Sequence, residues 1–101
     1  SFSFSSISLN CGYAAKPHTD RGNFGPSLAA SMGDFTGGRL ILWQSPGEYG
    51  PRAYVDTTSP ALFNGNHRHA VEHFEGCRWS LVFYMASDAW EATSGFCEEF
   101  L

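Results

Sequence analysis

A histidine and an aspartate stand two positions apart in the segment KPHTDRGN, residues 16–23. In an extended segment, side chains two apart project to the same side, so His18 and Asp20 can offer a ring nitrogen and a carboxylate oxygen to one metal ion. A third ligand must come from elsewhere. The other three histidines all fall within NHRHAVEHF: His67, His69 and His73. Two histidines and one carboxylate on one face of an octahedron are typical of non-haem Fe(II) oxygenases.

The third ligand stays open between two residues, because His67 and His69 share a face if their segment is extended. An arginine on a later strand adds a second kind of chemistry. Arg78 follows His69 by nine residues. A guanidinium binds a carboxylate through two parallel hydrogen bonds, so it can hold a dicarboxylate at a fixed distance from a metal. The ordered set H-x-D, histidine and arginine is more specific than an isolated H-x-D.

The strand that positions the arginine is RWSLVFYM, residues 78–85. Period-2 alternation divides it into two faces. The first face carries Arg78, Ser80, Val82 and Tyr84. The second face carries Trp79, Leu81, Phe83 and Met85, and is predicted to pack in the core. If the first face lines a barrel interior, its arginine needs an anion; on an exposed sheet face the arginine is solvated.

Short apolar runs separated by glycines predict a mainly β chain. Strands are predicted near residues 2–10, 27–32, 38–44, 53–56, 60–64, 68–73 and 78–86. The remaining segments are predicted to be a turn at GDFTGG, 33–38, a loop at SPGEYGPR, 45–52, and one or two helical turns at SDAWEATSG, 87–95. Short strands at this density favour a sandwich or jelly roll.

The length, net charge and apolar runs of the chain argue against several classes of protein. The 101 residues suffice for a single small domain, 1–101, with one core. A net charge of −4 gives no sign of a basic groove for nucleic acid, although it does not exclude one. The longest apolar run is too short for a membrane span, and no signal peptide is visible. We expect no membrane partner.

Cysteine usage points to an intracellular protein of the cytoplasm or nucleus. Cys11, Cys77 and Cys97 are odd in number and widely spaced, which favours reduced core thiols over one disulfide with a cysteine left over. They contain no close pair, so a structural zinc site is a poor interpretation. The chain enters a strand-like segment directly at Ser1, and we expect a partial domain that lacks N-terminal elements.

Four segments together resemble the Fe(II)/2-oxoglutarate-dependent dioxygenases. They are PHTD (17–20), TGGRLIL (36–42), FNGNHRHAV (63–71) and GCRWSLVFY (76–84). Their order, spacing and glycines are similar to that superfamily over about residues 5–86. The resemblance implies a double-stranded β-helix, a form of jelly roll. Relatives usually have helices against the larger sheet, so this chain is expected to be a partial dioxygenase core without its N-terminal buttressing helices.

The resemblance also implies roles for particular residues. Fe(II) would be held by His18, Asp20 and His69, since the HAV triplet and the step to Arg78 favour His69 over His67. The co-substrate 2-oxoglutarate would chelate the iron and pair its distal carboxylate with Arg78 and the Ser80 hydroxyl. Asn10 and Tyr13 would be further contacts to 2-oxoglutarate; an edge asparagine and a core tyrosine are the alternative. With O₂, the reaction would couple oxidative decarboxylation of 2-oxoglutarate to oxidation of a C–H bond.

The substrate stays open. RWSLVFY and HTDRGN are most similar to the TET/JBP-like nucleobase oxygenases, which would make Asn23 a base contact, with Tyr84 as a second substrate candidate. Two features depart from that group: Ala86 stands where a base-contacting histidine is expected, and the cysteine-rich zinc region is absent. The GxxxHAV pattern at residues 65–71 and the nine-residue step to Arg78 resemble prolyl-4-hydroxylase-like protein hydroxylases equally well. A jelly-roll binding domain without turnover is the alternative from another functional class.

Overall fold

A computed structural model describes residues 2–44 and 50–88 of the chain. The described part is mainly β, with antiparallel strands throughout. The strands are β1 (Ser6–Cys11), β2 (Ser27–Gly37), β3 (Leu40–Trp43), β4 (Arg52–Val55), β5 (Ala61–Phe63), β6 (His69–Val71) and β7 (Phe74–Tyr84). Each corresponds to one predicted strand, with shifted bounds.

The larger sheet has four strands in the order β1-β7-β2-β5. Strand β7 is central and long, at 11 residues, and it pairs with β1 on one side and β2 on the other. Ser80 of β7 lies opposite Asn10 of β1 and Ser31 of β2, so a polar row crosses the sheet. Arg78 lies on the same face, two residues away along β7.

The smaller sheet has three strands in the order β4-β3-β6 and faces the larger one. Leu40 of β3 forms a buried cluster with Ala29 of β2 and Phe63 of β5. Three half-buried residues pack against this cluster from both sheets: Leu42, Val55 and Val82. The apolar core therefore lies between the two sheets, but it fills only part of that space.

The turn predicted at 33–38 is wrong. Strand β2 continues through Gly37, and its second half pairs with β7 from Gly33 opposite Arg78 to Gly37 opposite Phe74. Gly33 and Gly76 have φ values of 124° and 107°, and the paired backbones pass too close there for a side chain. Gly33, one of the glycines that suggested a turn, instead permits the close approach of two paired strands.

The prediction that one face of β7 packs in the core is also wrong in part. Met85 is buried, but Trp79 is 41% exposed. Its neighbours on the outer face of the larger sheet are exposed as well: Ile7, Leu9, Met32 and Leu62. We call this set, with Trp79, the outer apolar face. The buried face of the sheet is the one that carries Arg78 and Ser80.

Two further expectations concern the cysteines and the segments between strands. Cys11 and Cys77 are free thiols as predicted, but they are exposed rather than in the core. Cys97, residues 45–49 of the predicted loop and residues 89–95 of the predicted helical turns lie outside the described residues. In the part of the chain that the structure describes, no helical segment has the length and apolarity needed to span a bilayer.

Candidate metal centre

The H-x-D segment is fixed against the chain that leads into β6. The His18 and His69 backbones exchange two hydrogen bonds, each 2.9 Å long, in an isolated antiparallel bridge. The Asp20 N–H donates to the Gly65 carbonyl over 2.8 Å. Both candidate ligands of the H-x-D segment are thus tied by their own backbones to the segment that carries the third.

Three ligand atoms converge between these segments. Asp20 Oδ1 lies 3.3 Å from His18 Nε2, and Asp20 Oδ2 lies 3.4 Å from His69 Nε2. The ring centroids of the two histidines are 4.3 Å apart. One ligand atom from each residue lies within 4.8 Å of the other two, a separation that a single metal ion can bridge. These are the three residues predicted as metal ligands.

The tautomer of each ring follows from its second nitrogen. His18 Nδ1 lies 2.6 Å from the Lys16 carbonyl oxygen, and His69 Nδ1 lies 2.8 Å from the His67 carbonyl oxygen. A carbonyl oxygen only accepts, so Nδ1 must carry the proton and donate it. Nε2 of each ring is then the atom that faces the Asp20 carboxylate. A backbone carbonyl on the second nitrogen is a common partner of metal-bound histidines.

This arrangement can bind a cation, because Nε2 of both rings and the Asp20 carboxylate face one another. Protonation of His69 is disfavoured, since burial lowers the pKa of its imidazole, although the carbonyl of His67 and the charge of Asp20 oppose that shift. His69 is only 5% exposed. A divalent metal ion could be held by Nε2 of each ring and by the Asp20 carboxylate.

Arg78 forms the second half of the site. It is 4% exposed, its Nε is buried without a hydrogen-bond partner, and none of the described carboxylates forms an ion pair with it. Its guanidinium lies 5.5 Å from the ring centre of Phe35 and 5.6 Å from that of Phe74. Burial lowers the pKa of Arg78, but a guanidinium keeps its charge in proteins. A buried cation without a counter-ion is costly unless an anion joins it.

One cavity of about 590 Å³ connects the ligand atoms to Arg78. It is lined by all nine residues proposed for the site: Asn10, Tyr13, His18, Asp20, Asn23, His69, Arg78, Ser80 and Tyr84. His67, the alternative third ligand, is exposed and is absent from the lining. The structure therefore brings together the whole predicted set and separates His67 from it.

The lining also contains residues that the sequence did not single out. Lys16 and Arg21 join Arg78 there, so the lining residues that the structure describes include three cationic side chains and one carboxylate, Asp20. Their positions beside His18 and Asp20 could have suggested this. Of the two alternatives for Tyr13, the core tyrosine is wrong, since Tyr13 is 58% exposed. Asn10 donates a hydrogen bond from Nδ2 to Ser8 Oγ at 3.2 Å.

Comparison with other proteins adds no assignment, since no family model, curated protein or solved structure matches this chain. Its function is therefore inferred from the geometry of the site.

Proposed function

We propose that this chain is the core of an Fe(II)- and 2-oxoglutarate-dependent dioxygenase. The observation that carries the proposal is one cavity that joins three potential metal ligands to a buried arginine. His18, Asp20 and His69 can hold a cation, and the buried Arg78 can pair with an anion. Ferrous iron and a dicarboxylate supply both. The fit of donor types is that of a facial triad with neighbouring positions left for other ligands.

The fold proposed with this function is a double-stranded β-helix of the jelly-roll type. Its support is the pair of facing antiparallel sheets, of four and three strands, with a cavity between them. His69 begins β6 of the smaller sheet, and Arg78 belongs to β7 of the larger sheet. The two halves of the site thus come from opposite walls of the same cavity.

In this proposal the bound iron supplies activation of O₂ for attack on a C–H bond, and the protein residues supply positions and charges. His18, Asp20 and His69 hold the metal. Arg78 pairs with the distal carboxylate of 2-oxoglutarate, and Ser80 donates a hydroxyl hydrogen bond to it. The overall reaction balances as 2-oxoglutarate, O₂ and R–H giving succinate, CO₂ and R–OH. One oxygen atom enters succinate and the other enters the product.

The charge of the lining fits a dianionic co-substrate. Lys16, Arg21 and Arg78 outnumber the carboxylate of Asp20, although the whole chain has a net charge of −4. A concentration of one sign of charge in a cleft raises the local concentration of the opposite ion. The same excess leaves room for an acidic or phosphate-bearing substrate once the co-substrate is bound.

The substrate proposed first is a methylated nucleobase, with a protein side chain as the alternative. Asn23 and Tyr84 line the cavity with the metal ligands, which is the position a substrate contact needs. Incubation of the protein with methylated DNA, methylated RNA and proline-containing peptides, followed by mass spectrometry of the products, separates the two classes. An oxidised base supports the first, and hydroxyproline supports the second.

The experiment that tests the function uses anaerobic protein with Fe(II) and 2-oxoglutarate. Chelation of iron by 2-oxoglutarate should give a visible charge-transfer band. Loss of a charged hydrogen-bond pair should weaken 2-oxoglutarate affinity in Arg78→Ala by about 10- to 100-fold. The matched control is Arg39→Ala, because Arg39 is an exposed arginine that pairs with Glu72 over 2.7 Å and does not line the cavity.

Two outcomes would contradict the proposal. A folded wild-type chain that gives no band would favour a jelly-roll binding domain without turnover. Equal affinity of wild type, Arg78→Ala and Arg39→Ala would remove the co-substrate role of Arg78 and leave a simple metal site.

A further inference from the structure

Gly65 is a glycine that backbone conformation does not explain. It is buried, and its φ is not among the positive values that favour glycine. A Cβ atom at this position would lie 2.9 Å from Asp20 Oδ2, closer than real Cβ atoms come to other atoms. The glycine at position 65 therefore leaves room for the Asp20 carboxylate.

Movement of the backbone cannot easily relieve such a clash. The Asp20 N–H donates to the carbonyl of Gly65 itself at 2.8 Å, so the two residues are held together at the point of contact. A side chain at position 65 would instead rotate the carboxylate. Since Oδ2 is the oxygen that lies 3.4 Å from His69 Nε2, rotation would separate the carboxylate from the third ligand.

Ser27 provides an independent observation at the same place. It begins β2, is 0% exposed, and its Oγ is buried without a hydrogen-bond partner. The point where a Gly65 Cβ would stand lies 3.4 Å from Ser27 Oγ and 3.5 Å from Asn23 Nδ2. Two polar groups thus gather with Asp20 Oδ2 around Gly65. A fully buried hydroxyl without a partner is unfavourable, which indicates that it has a partner in another state of the site.

We propose that Gly65 and Ser27 are positioning residues for the Asp20 carboxylate of the metal site. This inference rests on the proposed function and adds two residues that hold the Asp20 ligand in place. Gly65 keeps the carboxylate free to face both histidines. The Ser27 hydroxyl donates to Asp20 Oδ2, directly or through one water molecule, when the carboxylate binds metal. Outer hydrogen bonds of this kind orient ligand carboxylates and raise metal affinity.

The test is Fe(II) affinity of the full chain, measured anaerobically by competition with a chromophoric chelator, together with the unfolding midpoint of the metal-free protein. Gly65→Ala and Ser27→Ala should each weaken Fe(II) binding by roughly 10- to 100-fold. Metal-free Ser27→Ala should keep or raise its unfolding midpoint, because the substitution removes an unpaired buried hydroxyl. If Ser27 only supported the fold, Fe(II) affinity would be unchanged and the unfolding midpoint of Ser27→Ala would fall.

The matched control is Ser31→Ala, another buried serine of β2 on the same face. Its hydroxyl already pairs with Thr57 Oγ1 over 2.8 Å. This variant should lower the unfolding midpoint and leave Fe(II) affinity unchanged. If Gly65→Ala does not fold, Ser27→Ala decides the question.

The outcomes separate this inference from the proposed function. Wild-type Fe(II) affinity in both Gly65→Ala and Ser27→Ala overturns the inference and leaves the metal site intact. A wild-type chain that does not bind Fe(II) overturns both.

Discussion

Each histidine of the candidate site is held by the carbonyl of the residue two positions before it. Lys16 O accepts from His18 Nδ1, and His67 O accepts from His69 Nδ1. The same local device therefore fixes both rings, although their segments are far apart in the chain. Fixed rings cost less entropy when a metal binds, because their orientation is already set. The arrangement also gives His67 a backbone role that is independent of its side chain.

A pair of histidine substitutions tests this distinction. His69→Ala removes a metal ligand, so Fe(II) affinity should fall by more than the roughly 10- to 100-fold that outer partners are worth. His67→Ala keeps the carbonyl that orients His69 and should bind Fe(II) as the wild type does. Isothermal titration under anaerobic conditions measures both. Weak binding by His67→Ala with normal binding by His69→Ala would reverse the assignment.

The buried guanidinium of Arg78 predicts a conflict between stability and function. Arg78→Met replaces an uncompensated buried cation by an apolar side chain of similar length beside Phe35 and Phe74. Without 2-oxoglutarate, the variant should gain about 1–3 kcal/mol in free energy of unfolding. Urea denaturation measures that gain. A less stable variant would mean that the stacking of the cation on the two rings outweighs its burial.

How far the sequence predicts the site depends on the distance between its parts. His18 and Asp20 stand two apart, so alternation alone places them together. Ser27 and Gly65 lie on separate segments, and each has an ordinary local explanation, a strand start and an Asn-Gly turn. Only the three-dimensional approach of both to the Asp20 carboxylate shows another role. No local pattern in the sequence contains that information.

Among the elements, the β2–β7 pair determines where Arg78 lies. Gly33 stands opposite Arg78 in the pairing, and Phe35, opposite Gly76, contacts the guanidinium. The glycines of GDFTGG predict a turn because glycine most often permits turns. They serve a strand here because the long partner β7 supplies hydrogen bonds through the whole segment. Pairing with a distant strand overrides the local preference, which is why the sequence misplaces this boundary.

The close approach of β2 and β7 makes Gly33 sensitive to substitution. A side chain there would adopt an unfavourable φ and also collide with the Cys77 carbonyl. Gly33→Ala should therefore cost more than about 3 kcal/mol of unfolding free energy. The control is Gly12→Ala, which has a φ of 73° but meets no atom within 4 Å. It should cost only about 1–2 kcal/mol. Equal costs in thermal unfolding would show that conformation alone matters.

The turn after β4 should make the free energy of unfolding depend on pH in the acid range. Asp56 Oδ1 accepts from the backbone N–H of Thr58 at 3.0 Å and from its hydroxyl at 2.7 Å, and these bonds lower the pKa of Asp56 from its ordinary value. The unfolded chain then takes up a proton at higher pH than the folded chain. The stabilisation by Asp56 should be complete above about pH 5 and lost as pH falls through its folded pKa.

Asp56→Asn tests this dependence because the amide oxygen still accepts but does not titrate in this range. Urea unfolding between about pH 2 and 6 should show a shallower loss of stability for the variant than for the wild type. Asp34→Asn removes the same charge at an exposed carboxylate outside this turn and serves as the charge control. Parallel profiles for Asp56→Asn and the wild type would contradict the role of this turn.

At the scale of the whole molecule, the larger sheet carries apolar side chains on both faces: Ala29 and Val82 pack in or against the core, whereas the outer apolar face is exposed. In β1 the serines and Asn10 are half-buried toward the cavity, while Ile7 and Leu9 are 52% and 61% exposed. Alternation in the sequence identifies two faces but cannot say which is inside. In β1 the usual assumption that the apolar face is the buried one fails, because the face with Ser8 and Asn10 lines the cavity.

The outer apolar face should make this chain associate with itself at high concentration, because contiguous exposed apolar surface of this kind favours contact with other surfaces. Leu9 lies on β1, an edge strand, where a lysine discourages strand pairing between molecules. Leu9→Lys should therefore reduce association in sedimentation velocity runs. It should change the free energy of unfolding by less than about 0.5 kcal/mol, since the side chain is already exposed. Ser59→Lys adds the same charge at an exposed residue outside the strands and should leave association unchanged. Equal association of both variants would mean that net charge, rather than the outer apolar face, controls it.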